Sequence, residues 1–192
     1  IGSSFAAYAD AWLAPGSPLE ADAMTVTAYQ GFGTLDGALG YVREHGKGLF
    51  VLAATSNPEA RVVQRAVRAD GQSVAAAMVA DADAFNRQAF PEETVGSIGV
   101  VLGATLNLAD FGIETGERRD GGHTSNPALP VLAPGFGHQG ARIEDAGEIF
   151  GALGGALLAN ESRSILSGGA SGLAARVRAR AESIGAALAQ SD

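Results

Sequence analysis

Pro134-Gly135-Phe136-Gly137-His138-Gln139-Gly140 places three glycines within six residues, directly after an apolar run. At that density successive backbone N–H groups can turn toward one anion, and Gln139 adds a side-chain amide beside them. The chemistry indicated is the holding of a phosphate. Tight strand-to-helix turns also use glycine, but the position between an apolar run and a predicted helix favours the anion site. After the next apolar run comes Asn160-Glu161-Ser162-Arg163. The Arg163 guanidinium offers a planar fork for phosphate oxygens, and Ser162 can cap the following turn.

Two other segments stand at equivalent places. Thr55-Ser56-Asn57-Pro58-Glu59 reads equally as a helix start, with Ser or Asn as cap, Pro58 in the first turn and Glu59 facing the dipole, or as a ligand contact made by the same groups. Gly103-Ala104-Thr105 admits a ligand close to the backbone, or packs tightly with Thr105 as an N-cap. The histidines carry less. His45 near a helix end and His123 in a polar loop read as solvated, while the backbone N–H of His138 matters more than its ring. Neither an HExxH spacing nor a GxSxG elbow is present, so neither a metal site nor a serine hydrolase is expected.

These segments need elements to position them. Apolar runs at Ala23–Tyr29, Gly48–Ala54, Ser97–Leu102, Leu129–Ala133 and Gly154–Ala159 are low in polarity on both faces, which suits strands of a parallel sheet covered by helices. Between them the pattern predicts helices over Leu35–His45, over Pro58–Phe90 with an interruption near Asp70-Gly71, weakly over Leu106–Phe111, and over Ile143–Leu153. A helix over Ser3–Leu13 precedes the first run, and one over Gly172–Gln190, with Arg176 and Arg180 on one face, follows the last. Residues Gly112–Ala128 are polar and turn-rich, a surface loop. The alternation indicates a single α/β domain of five βα units, in which functional residues collect at the carboxyl ends of the strands.

Composition narrows the function. The 192 residues carry 13 Lys+Arg against 21 Asp+Glu, a net charge of −8 that argues against nucleic acid or an anionic membrane as partner. The absence of cysteine removes disulfides and thiolate chemistry and fits a cytoplasmic protein. No apolar run approaches the roughly 20 residues of a membrane span, and no signal peptide is visible. Lys47 is the only lysine. Because the chain opens on Ile1 and not Met, it is read as a processed product or a fragment.

Periodicity alone does not separate a barrel from an open doubly wound sheet. Phosphate held between the last two loops is a habit of TIM barrels, where it lies after strands seven and eight. The expectation is therefore a TIM (β/α)8 barrel of which this chain supplies about five C-terminal units, strands 4–8.

Taken together, Ile1-Gly2-Ser3-Ser4 with the following Ala-Ala-Tyr-Ala-Asp-Ala-Trp, Thr55-Ser56-Asn57-Pro58, Gly103-Ala104-Thr105, the segment Pro134–Gly140 and Ser162-Arg163 resemble the orotidine 5′-phosphate decarboxylase family, in its longer, mycobacterial-type bacterial subgroup. The resemblance implies a homodimeric TIM barrel that converts orotidine 5′-phosphate to uridine 5′-phosphate (UMP) and carbon dioxide in pyrimidine biosynthesis, without metal or organic cofactor. It implies that Ser56 contacts the pyrimidine near the reacting carboxylate and that Thr105 lies by the pyrimidine edge. Gln139 would bridge base and phosphate. Backbone N–H groups around Gly137 and His138, with Arg163, would hold the phosphate. Ser4 would reach the ribose of the neighbouring subunit's substrate, and Ile1 would line that shared site.

The family places a lysine at the reacting carbon within a D-x-K-x-x-D stretch followed by Ile. Matched here, that Ile is Ile1, so the stretch would end before the chain begins and no catalytic residue is expected in this chain. Lys47 does not substitute, because it precedes a strand and belongs at the opposite end of the barrel. The expectation is an inactive segment of an active lyase. The alternatives are a truncated, non-catalytic nucleotide-phosphate binder and another phosphate-binding barrel of the hexulose-phosphate synthase or phosphoribosyl isomerase type.

Overall fold

A computed structural model describes residues 2–116 and 127–188. Ile1, His123, most of the polar loop and the last two residues of the helix expected over Gly172–Gln190 lie outside the described residues. Five strands form one parallel sheet: β1 (Ala23–Val26), β2 (Gly48–Ala54), β3 (Ile98–Leu102), β4 (Val131–Pro134) and β5 (Leu157–Asn160). Their spatial order is β1-β2-β3-β4-β5, the order of the sequence. A doubly wound sheet reverses its order at a switch point. This sheet never reverses, so each crossover steps to the next strand on the same side, as in a partial TIM barrel.

Burial follows from that order. All five residues of β3, the central strand, are buried, as are Leu49, Val51, Ala53 and Ala54 of β2 and Val131 and Ala133 of β4. The two edge strands are less covered; no residue of β5 is buried and Leu158 is exposed. Glycine at 99 is required by close packing inside β3, because a Cβ there would stand 2.6 Å from the Pro130 carbonyl and 2.7 Å from the Phe50 ring.

Helices α1 (Gly2–Leu13) and α2 (Asp36–His45) flank β1. They approach closely where a Cβ on Gly37 would lie 3.1 Å from that of Ala6. Helix α2 ends on Gly46 in the left-handed conformation (φ 62°), a conformation open to glycine without Cβ strain. Lys47 follows, just before β2, almost fully buried with its ammonium 2.7 Å from Glu20 Oε1. The seven residues of β2 at about 3.3 Å each put Lys47 about 23 Å from the carboxyl edge, so it does stand at the opposite end from the loops of interest.

Several predicted elements are revised. The run Ala23–Tyr29 is strand only as far as Val26, and the run Gly154–Ala159 becomes 3-10 helix up to Ala156 before β5 begins. The Pro58–Phe90 region holds two helices, α3 (Ala60–Gln64) and α4 (Val74–Ala89). The break between them spans nine residues and not just Asp70-Gly71, because Arg68 and Gln72 pair across a turn closed by Gly71 at φ 84°. Leu106–Phe111 shortens to a 3-10 turn at Leu108–Phe111. Ile143–Leu153 divides into a 3-10 turn, the short α5 (Ala146–Phe150) and a second 3-10 stretch from Gly151. There the Thr115 carbonyl approaches so closely that any Cβ on Gly151 would collide with it, and it accepts from the Ala152 N–H. Two C-terminal helices complete the described chain, α6 (Arg163–Leu166) and α7 (Leu173–Leu188).

One buried polar side chain fixes the start of β3. Asn86 of α4 is fully buried, donates from Nδ2 to the Ile98 carbonyl (2.7 Å) and accepts from the Ile98 N–H (3.0 Å). It acts as a one-residue strand partner, and the absence of a side chain at Gly96 makes room for it. Asn86→Ala leaves both Ile98 groups unpaired and is expected to cost about 2–4 kcal/mol. The readout is a lower urea midpoint at unchanged slope; a loss below about 0.5 kcal/mol would show that water replaces the amide without penalty.

Candidate anion-binding site at the carboxyl edge

Because every strand is parallel, the segments after β2, β3, β4 and β5 emerge on one edge. Thr55 and Gln64 interlock there: the Thr55 N–H donates to Gln64 Oε1 (2.9 Å), Gln64 Nε2 donates to Thr55 Oγ1 (3.0 Å), and Thr55 Oγ1 donates to Asn57 Oδ1 (2.6 Å). This network replaces the expected cap. Helix α3 starts after Glu59, which itself has helical dihedrals and makes no side-chain cap bond. Ser56 is left exposed, its hydroxyl without a hydrogen bond among the described residues. Gln64 was not legible as part of this edge, since a glutamine within a helical pattern carries no positional signal.

After β3, the Gly103 N–H donates to the Ala54 carbonyl (2.9 Å) and the Ala104 N–H to the Pro134 carbonyl (2.8 Å). These amides extend the sheet ladder beyond the strands. Thr105 is exposed and is not an N-cap; Asn107 takes that place, accepting from the Ala109 N–H at 3.3 Å.

The three glycines of the loop are explained by the backbone conformation. Gly135, Gly137 and Gly140 all have positive φ (125°, 67° and 109°), a region where a side chain is strained. A Cβ on Gly135 would stand 3.3 Å from Thr105 N and Cγ2, so the β3 and β4 loops touch. Phe136 is buried, 6.3 Å from the Phe150 ring, and anchors the loop while His138 and Gln139 remain exposed at its tip. The Gly137 N–H donates to the Ala141 carbonyl (3.0 Å). In this arrangement the Gly137 amide closes the turn.

After β5, Ser162 occupies the N-cap position of α6 without a side-chain cap bond, and Arg163 is exposed, with no ion pair or hydrogen bond from its guanidinium among the described residues. Glu161, next to it, behaves differently. Its side chain is only 2% exposed, and its carboxylate accepts from Arg180 Nε (2.6 Å), from Arg180 Nη2 and from Ser164 Oγ (2.6 Å). Burial works to raise the Glu161 pKa, but the hydrogen bonds from Arg180 and Ser164 and the Arg180 charge outweigh it and hold the carboxyl below its usual value. Glu161 and Arg180 line a cleft of about 460 Å³ with Gly137, Ser164 and Arg176. The sequence placed Arg176 and Arg180 on one helix face but gave no sign of the buried pair. Ser4 is exposed in the first turn of α1, and the contact of Ala6 with Gly37 at the start of α2 puts that turn at the carboxyl edge too. No group of three or more His, Cys, Asp or Glu suited to a metal occurs among the described residues. Nor is any described helix long and apolar enough to cross a membrane.

Fold and topology together define a partial α/β-barrel protein in which the glycine loop and the exposed Arg163 gather at one edge of the sheet. The model of the orotidine 5′-phosphate decarboxylase / HUMPS family matches residues 1–177, and the chain belongs to that family. It is 44% identical over 174 residues to the orotidine 5′-phosphate decarboxylase of Corynebacterium efficiens, covering 88% of this chain and 56% of that protein. It is 46% identical over 169 residues to that of Streptomyces coelicolor, covering 86% and 55%. A solved Streptomyces avermitilis protein, named for the same decarboxylase, superposes with a TM-score of 0.85 at 44% identity, over 98% of this chain and 62% of that one. The chain thus spans about half the length of the curated relatives it matches.

The lowered Glu161 pKa gives a pH prediction. A carboxyl whose folded pKa lies below its unfolded value adds stability that is present above the unfolded pKa and is lost as pH falls through the folded one. Glu161→Gln should therefore flatten the fall of melting temperature below about pH 4.5, the ordinary carboxyl value. Parallel wild-type and variant curves across that window would remove Glu161 from the acid response.

Proposed function

We propose that the complete natural protein decarboxylates orotidine 5′-phosphate to UMP, and that this chain contributes the loops that hold the pyrimidine and the phosphate. The observation that carries the reading is the convergence, on one sheet edge, of a three-glycine turn and the unengaged Arg163, in a chain over 40% identical to proteins named for that reaction. Arg163 supplies the fork for the phosphate oxygens, with the His138 N–H and Gln139 at the turn tip beside it. Ser56, its hydroxyl free, faces the pyrimidine; Thr105, touching the glycine loop, flanks it. Ser4 and Ile1 serve the site of a second copy, in a homodimer that works in the cytoplasm without metal or cofactor.

The phosphate takes no part in bond breaking. Gripping it supplies binding energy that orients the ring and closes the site around the carbon that loses carbon dioxide. Negative charge develops at C6 and must be met by a cation that also delivers a proton. Lys47 is buried at the amino edge against Glu20, so that cation is not Lys47.

UMP at 100 times its dissociation constant should stabilise the complete natural polypeptide by about 2.7 kcal/mol, read as a rise in melting temperature; no shift at saturation would contradict the reading. Arg163→Ala should weaken UMP by roughly 10- to 150-fold, the loss of charge-assisted hydrogen bonds, while leaving uridine unchanged. Equal losses for both ligands would remove Arg163 from the phosphate. Lys47→Met should lower the melting temperature yet leave turnover at the wild-type rate, and loss of turnover in a folded variant would overturn the placement of Lys47.

A further inference from the structure

Glu161 is an unexpected residue in this place, an acid set against a turn that is built to receive an anion. A Cβ on Gly137 would stand 2.5 Å from Glu161 Oε2 and 2.8 Å from Ser164 Oγ, so the carboxylate packs directly against the glycine loop. Its Oε2 accepts from Ser164 in α6, and its Oε1 accepts from both Nε and Nη2 of Arg180 in α7. Three segments therefore meet on one buried carboxylate: the loop after β4, the residues that carry Arg163, and the C-terminal helix. Arg180 Nη1 also reaches Ser183 Oγ (3.3 Å), which steadies the fork.

One turn earlier on the same face of α7, Arg176 grips the connection between α6 and α7. It donates from Nε to the Ile165 carbonyl (2.7 Å), from Nη1 to the Ser171 carbonyl (2.7 Å) and from Nη2 to the Gly169 carbonyl. A Cβ on Gly168 would lie 2.7 Å from its Cζ. Helix α7 thus holds α6 at both ends, through Glu161 at the start and through backbone carbonyls at the finish.

We infer that Glu161 and Arg180 form a positioning pair for the phosphate site, in which the buried carboxylate sets Arg163 and the glycine turn at a fixed separation and Arg180 cancels the charge that would otherwise repel the ligand. The inference rests on the function proposed above. Neither residue touches the ligand; both act through Gly137, Ser164 and the backbone that carries Arg163. The two halves of the pair consequently have unequal effects. Removing Arg180 leaves a carboxylate with only its Ser164 hydrogen bond against the anion site, whereas removing the charge of Glu161 loosens the geometry and leaves a cation that attracts the ligand.

The test titrates UMP and uridine into the complete natural polypeptide and into three variants. Arg180→Met is expected to weaken UMP by roughly tenfold or more, the scale of one uncompensated nearby charge, with uridine unaffected. Glu161→Gln is expected to change UMP affinity less, because the lost brace and the uncompensated Arg180 charge act in opposite directions, and Glu161→Gln combined with Arg180→Met is expected to bind UMP better than Arg180→Met alone. Should Arg180→Met fail to fold, Arg180→Lys keeps the charge, loses the fork, and is expected to show a smaller loss of the same selectivity. Variants that melt earlier but keep the wild-type ratio of UMP to uridine affinity would overturn the inference and leave the pair a purely structural brace. A wild-type protein that binds no UMP would overturn the proposed function itself, and the pair's role with it.

Discussion

Every feature of the candidate site depends on one constraint, that five parallel strands lie side by side in the order in which they occur in the chain. Parallel pairing requires each connection to cross back over the sheet, and an unreversed order requires all the crossings to fall on the same face. The carboxyl ends of β2 to β5 must then be neighbours, and four segments far apart in sequence become one surface. The order also decides what is excluded from that surface. A residue just before a strand is held a full strand length away, which is why the one lysine of the chain is an ion-pair partner of Glu20 and takes no place among the loops.

Within that edge, glycine acts by two different physical means. Gly135, Gly137 and Gly140 adopt backbone conformations that strain other residues; Gly135 also packs tightly against the loop after β3, and a Cβ on Gly137 would collide with the Glu161 and Ser164 side chains. The result is a turn whose tip, His138 and Gln139, is exposed while its base is fastened by Phe136 and by the Gly137 and Ala141 amides. A fastened base with a polar tip is what the proposed phosphate contact requires. The buried Glu161–Arg180 pair extends the same design outward, tying the turn to the last helix.

The fold class was legible because apolar runs without alternation and regularly placed glycine-rich turns are direct consequences of a doubly covered parallel sheet. The glycine loop and Arg163 were legible because both follow such runs. What stayed hidden depends on partners distant in sequence. Gln64 is bound to Thr55 by a contact that neither residue type announces, and Glu161 reads as an ordinary surface acid until Arg180 of α7 closes over it. The Gly137 amide shows the converse limit, since composition offers a donor but only the turn geometry shows it already used. The break before α4 lies where the sequence puts it, around Asp70-Gly71, but is wider for a similar reason: the pairing of Arg68 with Gln72 outweighs the helical propensity of the residues around it.

The proposed function turns on a phosphate held between the glycine turn and Arg163 at the carboxyl edge. Its most direct measurement is a crystal structure of the complete natural polypeptide with UMP. The account predicts phosphate oxygens within hydrogen-bond distance of the Arg163 guanidinium and of the His138–Gln139 segment, with the pyrimidine lying toward Ser56 and Thr105. A phosphate bound away from that edge, or a pyrimidine pointing away from Ser56, would contradict it.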